Sequence, residues 1–225
     1  MPPRIITLVR HGEGQHNATR NFQIHDALLT PLGETHCHEL SKEFPSEPPV
    51  DLLVSSPLRR TIQTTLLGFK KQVESGVKVE LLAELQEVGK SPCNTGSSRD
   101  DLEKEELFKE LDFSGLPDDW TSKALYAPLD PHPLSERARV ARKWLRSRSE
   151  SHVVVVLHGN FIHYVTEALD SNGNLPGTRW SYTEFRSYVF VDGDEDNASI
   201  IETDESKGRR EGNEKSLGGM EVIRN

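Results

Sequence analysis

The chain has 225 residues, a length that suits one α/β domain with a full core. A formal net charge of −9 argues against a nucleic-acid-binding protein or a polybasic binder of membrane surfaces. Two cysteines, Cys37 and Cys93, are too few for a disulfide scaffold, and no stretch approaches the ~20 apolar residues of a membrane span.

Residues 5–9 form a short apolar run that reads as a buried strand, and Arg10-His11-Gly12-Glu13 follows it into a sharp turn. An Arg-His pair at the carboxyl end of a first strand stands where open α/β sheets place ligands. Histidine brings a nucleophile or base there, and arginine a clamp for phosphoryl oxygens. Residues 15–20 read as a helix start or turn. Thr30-Pro31 then opens a helix to about residue 44, with Thr30 as cap and Pro31 at the first helical position. Residues 51–54 are a second buried strand.

Ser56-Pro57 next reads as a cap and first helical residue. Leu58, Ile62, Leu66 and Phe69 form one apolar face, so Arg59 and Arg60 fall in the first turn. Two cations at that end oppose the helix dipole, a conflict that an anion site would explain. A third strand is expected over 77–82, a loop over 91–98, and a helix over 100–111 with Leu102, Leu107, Phe108 and Leu111 inward. The long connection 114–132 carries Trp120 and Tyr126 and reads as a lid or substrate wall.

Pro133 opens a further helix with Leu134, Ala138, Ala141 and Leu145 on one face. Residues 153–157 are the clearest strand, ending in His158-Gly159-Asn160, with a helix over 161–168. Strands are expected over 184–191 and, at an edge, over 198–202. Ten acidic and five basic residues after 191 place −5 there and leave −4 on the rest. Residues 204–225 are therefore expected to be a charged, disordered tail beyond a domain of residues 1–203. Two strand ends thus carry His-Gly, and in a parallel sheet His11 and His158 share one edge.

Four short motifs in this chain resemble those of the histidine phosphatase superfamily, also called the phosphoglycerate mutase-like family. Arg10-His11-Gly12-Glu13 with Asn17 is similar to its R-H-G-E-x-x-x-N signature. Thr30 and Gly33 match T-x-x-G. Ser56, Pro57, Arg60 and Thr64 match S-P-x-x-R-x-x-x-T, which selects Arg60 over Arg59. Leu85-Gln86-Glu87 matches L-x-E, with Glu84 as competitor.

The resemblance implies a three-layer α/β/α fold with a mostly parallel sheet. It also implies a metal-independent phosphatase acting on a small phosphorylated substrate through a phosphohistidine on His11. Arg10, Arg60 and His158 would hold the phosphoryl oxygens, Asn17, Gly159 and Asn160 would border them, and Glu87 would protonate the leaving alcohol. A mutase, or a member that binds without turnover, are the alternatives. A mutase needs extra cations, and residues 88–132 offer Lys90, Arg99, Lys104, Lys109 and Lys123 in an acidic context. Trp120, Tyr126, Trp180 and Tyr182 are candidates for a substrate wall or for ordinary packing.

No cofactor is implied. His36-Cys37-His38, and His158 with His163, lack ligand spacing for a metal. Cys37 and Cys93 lack activating neighbours, and a P-loop is absent. No membrane or nucleic-acid partner is expected, and the location is expected to be cytoplasmic.

Overall fold

The structure is a computed structural model that describes residues 1–126, 131–170 and 180–217. Its centre is a six-stranded sheet. The strands are β1 (Ile5–Arg10), β2 (Leu52–Ser55), β3 (Lys78–Leu81), β4 (His152–Leu157), β5 (Phe185–Phe190) and β6 (Ile200–Glu202), in the order β3-β2-β4-β1-β5-β6. The first four in that row run parallel; β5 and β6 are antiparallel additions. Strand alternation supplies two buried faces. Ile6, Leu8, Leu52, Val54, Val153, Val155 and Leu157 face one way, Val9, Leu53, Val154 and Val156 the other.

Helices cover both faces and make three layers. Helix α1 is Gln15–Thr19, α2 is Pro31–Glu43, α3 is Arg59–Gly68 and α4 is Lys70–Glu74. Leu40 and Phe44, with Phe69 between α3 and α4, pack on the Val9 face. Helices α5 (Arg99–Glu103) and α6 (Lys123–Tyr126) belong to the long connection. Helix α7 (Pro131–Arg146) and α8 (Gly159–Val165) cover the other face. The expected stripe Leu134, Ala138, Ala141 and Leu145 is the buried side of α7. Each fully buried aliphatic side chain contributes about 1.5–3 kcal/mol, so these stripes fix the layers. Among the described residues no helix is long and apolar enough to cross a membrane.

Thr30 caps α2 as its sequence predicts, its hydroxyl accepting from Gly33 N. Three expectations fail. Helix α3 starts at Arg59, two residues later than Pro57, and Leu58 rather than Ser56 is its cap position. Only α5 forms in the stretch 100–111; beyond it, amides of Glu105, Phe108 and Leu111 bond carbonyls three residues back. That tighter path buries both Leu102 and Phe108 while leaving Leu107 46% exposed. An ion pair of Arg59 with Glu105 at 2.6 Å holds it.

The third failure is the tail, because Asp204–Leu217 is a helix, α9. Its anchors are polar and left no apolar stripe to read. The buried Ser206 hydroxyl donates to Glu202 and accepts from Ser187 N, and Arg210 pairs with Glu202 at 2.7 Å. The remainder of the expected tail, 218–225, lies outside the described residues.

Two glycines set how closely the first loop meets α2. A Cβ on Gly33 would stand 2.2 Å from the Glu13 carbonyl oxygen, and one on Gly12 2.7 Å from that of Gly33. Thr64 on α3 completes the clamp, its hydroxyl accepting from Gly12 N at 3.0 Å and donating to Arg60 O.

Candidate active site

The register of β1 and β4 pairs Arg10 with Leu157, so the next residue of each strand, His11 and His158, emerges at the same sheet edge. Their ring centroids are 5.1 Å apart, and both are buried. His11 Nδ1 lies 2.6 Å from the Gly12 carbonyl oxygen. A carbonyl only accepts, so the proton is on Nδ1 and Nε2 carries the lone pair. Burial, then Arg60, then Arg10 hold His11 well below the usual imidazole range, and it stays neutral.

Arg60 is fully buried on α3 and donates through Nε to His11 Nε2 at 3.4 Å. Its other donors reach Cys93 O at 2.7 Å and Asn94 Oδ1 at 3.1 Å. Arg10 donates to Trp180 O, lies 4.2 Å over the Tyr182 ring, and has a buried Nε without a partner. Gly159 makes room for it, since a Cβ there would meet Arg10 Nε at 3.2 Å. Neither guanidinium forms an ion pair with a carboxylate among the described residues. A buried cation left this way is costly alone and favours an incoming anion. Arg59, by contrast, turns away to Glu105.

His158 explains why Ser56 is not a helix cap. The Ser56 hydroxyl sits 2.8 Å from His158 Nε2, while His158 Nδ1 is buried and unpartnered. With Ser56 donating to Nε2, the neutral ring carries its proton on Nδ1 and offers one N–H donor. Burial and Arg60 keep this ring neutral as well. Ser56→Ala therefore removes the group that fixes the tautomer. It is expected to lower kcat about ten- to a hundredfold with little change in KM. Steady-state kinetics on an aryl phosphate check this; a wild-type kcat would show that Ser56 does not orient the ring.

Glu87 is 9% exposed and sits on the first turn of α8, accepting from Val88 N at 2.8 Å, Phe161 N at 3.1 Å and Asn160 N at 3.3 Å. It lines the cavity, and Glu84 is not among the lining residues. Asn17 uses Oδ1 to accept from Gly14 N at 3.0 Å, leaving its amide N–H2 for the cavity.

These groups meet at a cavity of about 750 Å³. Of the residues expected from sequence, Arg10, His11, Asn17, Glu87, Gly159 and Asn160 line it; Arg60 and His158 are not among the lining residues but pack against His11. Trp180 and Tyr182 form part of its wall. Trp120 does not: it is 1% exposed in a second core with Phe108 and Phe113, pressed against Gly96. The Tyr126 side chain lies outside what is described.

Sequence reasoning missed His16, Phe22, Cys93, Asn94, His163 and Ser181 as lining residues. For His16 the one signal was its place beside Asn17 inside the first motif. It also passed over the spacing of Cys93 and Arg99, which is that of a C-x5-R run. The structure removes that reading: Arg99 turns to Leu116 O and Asp118, and burial pushes the Cys93 thiol up. Among the described residues no group of three or more His, Cys, Asp or Glu is arranged to hold a metal ion.

A mostly parallel sheet thus carries two neighbouring histidines at its carboxyl edge, beside two guanidiniums that form no ion pair among the described residues. Residues 6–200 match the model of the histidine phosphatase superfamily (branch 1), and the chain belongs to that family. A probable phosphatase of Schizosaccharomyces pombe is 30% identical over 162 residues, covering 69% of this chain and 74% of that protein. A phosphoglycerate mutase-like protein of Arabidopsis thaliana is 27% identical over 238 residues, covering 84% and 85%. In fold, the chain resembles a phosphoserine phosphatase from Entamoeba histolytica solved with 3-phosphoglyceric acid. That match has a TM-score of 0.55, 20% identity, and coverage of 88% of this chain and 94% of the other.

Proposed function

We propose that the protein is a metal-independent phosphomonoesterase that passes its phosphoryl group through His11. The observation that carries this is His11 Nε2, an unprotonated nitrogen that meets Arg60 Nε at 3.4 Å and lines the cavity with Arg10, neither guanidinium having a carboxylate partner among the described residues. His11 attacks phosphorus, and the P–O bond to the alcohol breaks as the P–N bond forms. Arg10, Arg60 and His158 Nδ1–H stabilise the equatorial oxygens, where charge is spread in transfer. Asn17, Gly159 and Asn160 border the group. Glu87 is the general acid that gives a proton to the leaving oxygen. It then takes one from the water that hydrolyses the phosphohistidine. Relatives named as phosphatases agree with this reading.

The cations that a second phosphate would need are elsewhere. Arg99, Lys104 and Lys109 pair with Asp118, Asp101 and Glu106, Lys123 donates to Gln86, and none of these, nor Lys90, lines the cavity. Hydrolysis is therefore favoured over mutase chemistry. The test is the leaving group. Glu87→Gln is expected to lower kcat/KM, which ends at phosphoryl transfer, about a hundredfold or more for an alkyl phosphate and several-fold at most for p-nitrophenyl phosphate, because nitrophenolate departs unprotonated. Equal losses would remove Glu87 from the acid role. Wild type releasing no phosphate from a broad panel, or moving it within 3-phosphoglycerate instead, would overturn the phosphatase reading.

A further inference from the structure

One imidazole of the cavity has no part in this scheme. His16, on α1, is 4% exposed and lines the cavity beside His11, ring centroids 6.4 Å apart. Its two nitrogens stand in different surroundings. Nδ1 is buried without a partner against the backbone of Gly14, where a Cβ would meet it at 2.9 Å. Nε2 makes no hydrogen bond among the described residues and is the nitrogen left open to the cavity. A donor to an anion in the cavity needs its proton on Nε2, the open nitrogen, which leaves the lone pair on Nδ1.

Burial, Arg60 and Arg10 hold His16 down to about 3, so it is a neutral donor throughout the range in which a phosphatase works. His16, His11, Arg10 and Asn17 line the same cavity, with the two imidazoles 6.4 Å apart. His16 therefore belongs to the ring of groups around the anion, not to the outer wall.

We propose that His16 is a further phosphoryl-binding residue, donating Nε2–H to a non-bridging oxygen of the group held between Arg10 and Arg60. This rests on the phosphatase reading above. The choice of residue has a physical sense. A third fixed cation would hold the product phosphate as firmly as the transition state, whereas a neutral N–H adds direction without adding charge. Phenylalanine would fill the same space against Phe22 and Gly14, but it would leave one phosphoryl oxygen without a donor.

Orthovanadate binding to wild type, His16→Phe and His16→Gln, followed by titration calorimetry alongside kcat/KM for p-nitrophenyl phosphate, tests this. His16→Phe is expected to weaken vanadate about tenfold or more and to lower kcat/KM by a similar factor, the size of one hydrogen bond to a charged group. Gln places an amide N–H2 near the former Nε2, and is expected to recover most of both. Thermal midpoints of the two variants show whether either has lost its fold. As a second measurement needing no variant, the His16 Nε2–H signal of nitrogen-15 histidine-labelled wild type is expected to shift when inorganic phosphate is added.

Wild-type vanadate affinity in His16→Phe, or a His16 signal that ignores phosphate, would overturn this proposal alone. Wild type that binds neither vanadate nor phosphate would overturn the phosphatase reading with it.

Discussion

His11→Ala is expected to lower kcat for p-nitrophenyl phosphate by at least about four orders of magnitude, in line with the loss of an activated nucleophile in other enzymes. Two neighbouring groups are poorly placed to take over the attack: His158 has its Nε2 committed to Ser56, and Cys93 carries a thiol that burial keeps protonated. Glu87 points its oxygens at three backbone amides. The anion site itself remains, because Arg10 and Arg60 are held by Trp180, Cys93 and Asn94 independently of the imidazole. Inorganic phosphate is therefore expected to bind the variant within about tenfold of wild type, since charge-assisted hydrogen bonds from arginine dominate such a contact. Rapid acid-free quenching of labelled wild type should trap phosphate on one histidine, and the variant should trap none. Residual turnover above about 1% of wild type, or label on another residue, would rule out His11 as nucleophile.

Between pH 7 and 5 the protein is expected to lose stability steeply. His11, His16 and His158 are all held neutral, in each case first by burial and then by Arg60. Their folded-state values lie below the unfolded value near 6.5, so the unfolded chain takes up protons first as pH falls. Their contribution is complete above about pH 6.5 and is lost as pH drops toward the folded-state values, about 3 in the case of His16. Each such group gives a slope of about 1.4 kcal/mol per pH unit, or about 4 kcal/mol per unit for the three together. Set against a typical total of about 5–15 kcal/mol, that slope places acid unfolding at about pH 3–5. Urea midpoints at half-unit steps measure it, and His11→Ala should flatten the slope by about one third. A flat profile from pH 7 to 5 would mean that these rings take up protons as readily in the folded protein as in the unfolded chain.

Much of the architecture could be read from residue order because parallel strands buried on both faces are written as unbroken apolar runs. Val153–Leu157 is the plainest case, fully buried along its length. The site's main groups were legible because strand ends and fixed spacings carry them: His11 after β1, His158 after β4, Arg60 four residues past Ser56. What escaped depended on neighbours distant in sequence. Ser56-Pro57 has the local chemistry of a helix start, but a histidine about a hundred residues away takes the hydroxyl. Helix α9 docks through Ser206 and Arg210, polar contacts that hydrophobic periodicity cannot register. His16 gains its meaning only when Gly14 buries one nitrogen and β1 brings His11 beside it. The turn after α5 exists because Leu102 and Phe108 are both drawn into the Trp120 core, a choice made by packing.

The contact of Gly12 and Gly33 with the backbone opposite them has a bearing on how the protein fails under stress. Main-chain atoms meeting main-chain atoms leave no rotamer to turn and no side chain to slide. The loop that bears His11 therefore has no private softening step: it loosens only if α2 leaves the sheet. Warming or denaturant should thus extinguish turnover and tertiary structure along one curve, with no inactive but folded species preceding collapse.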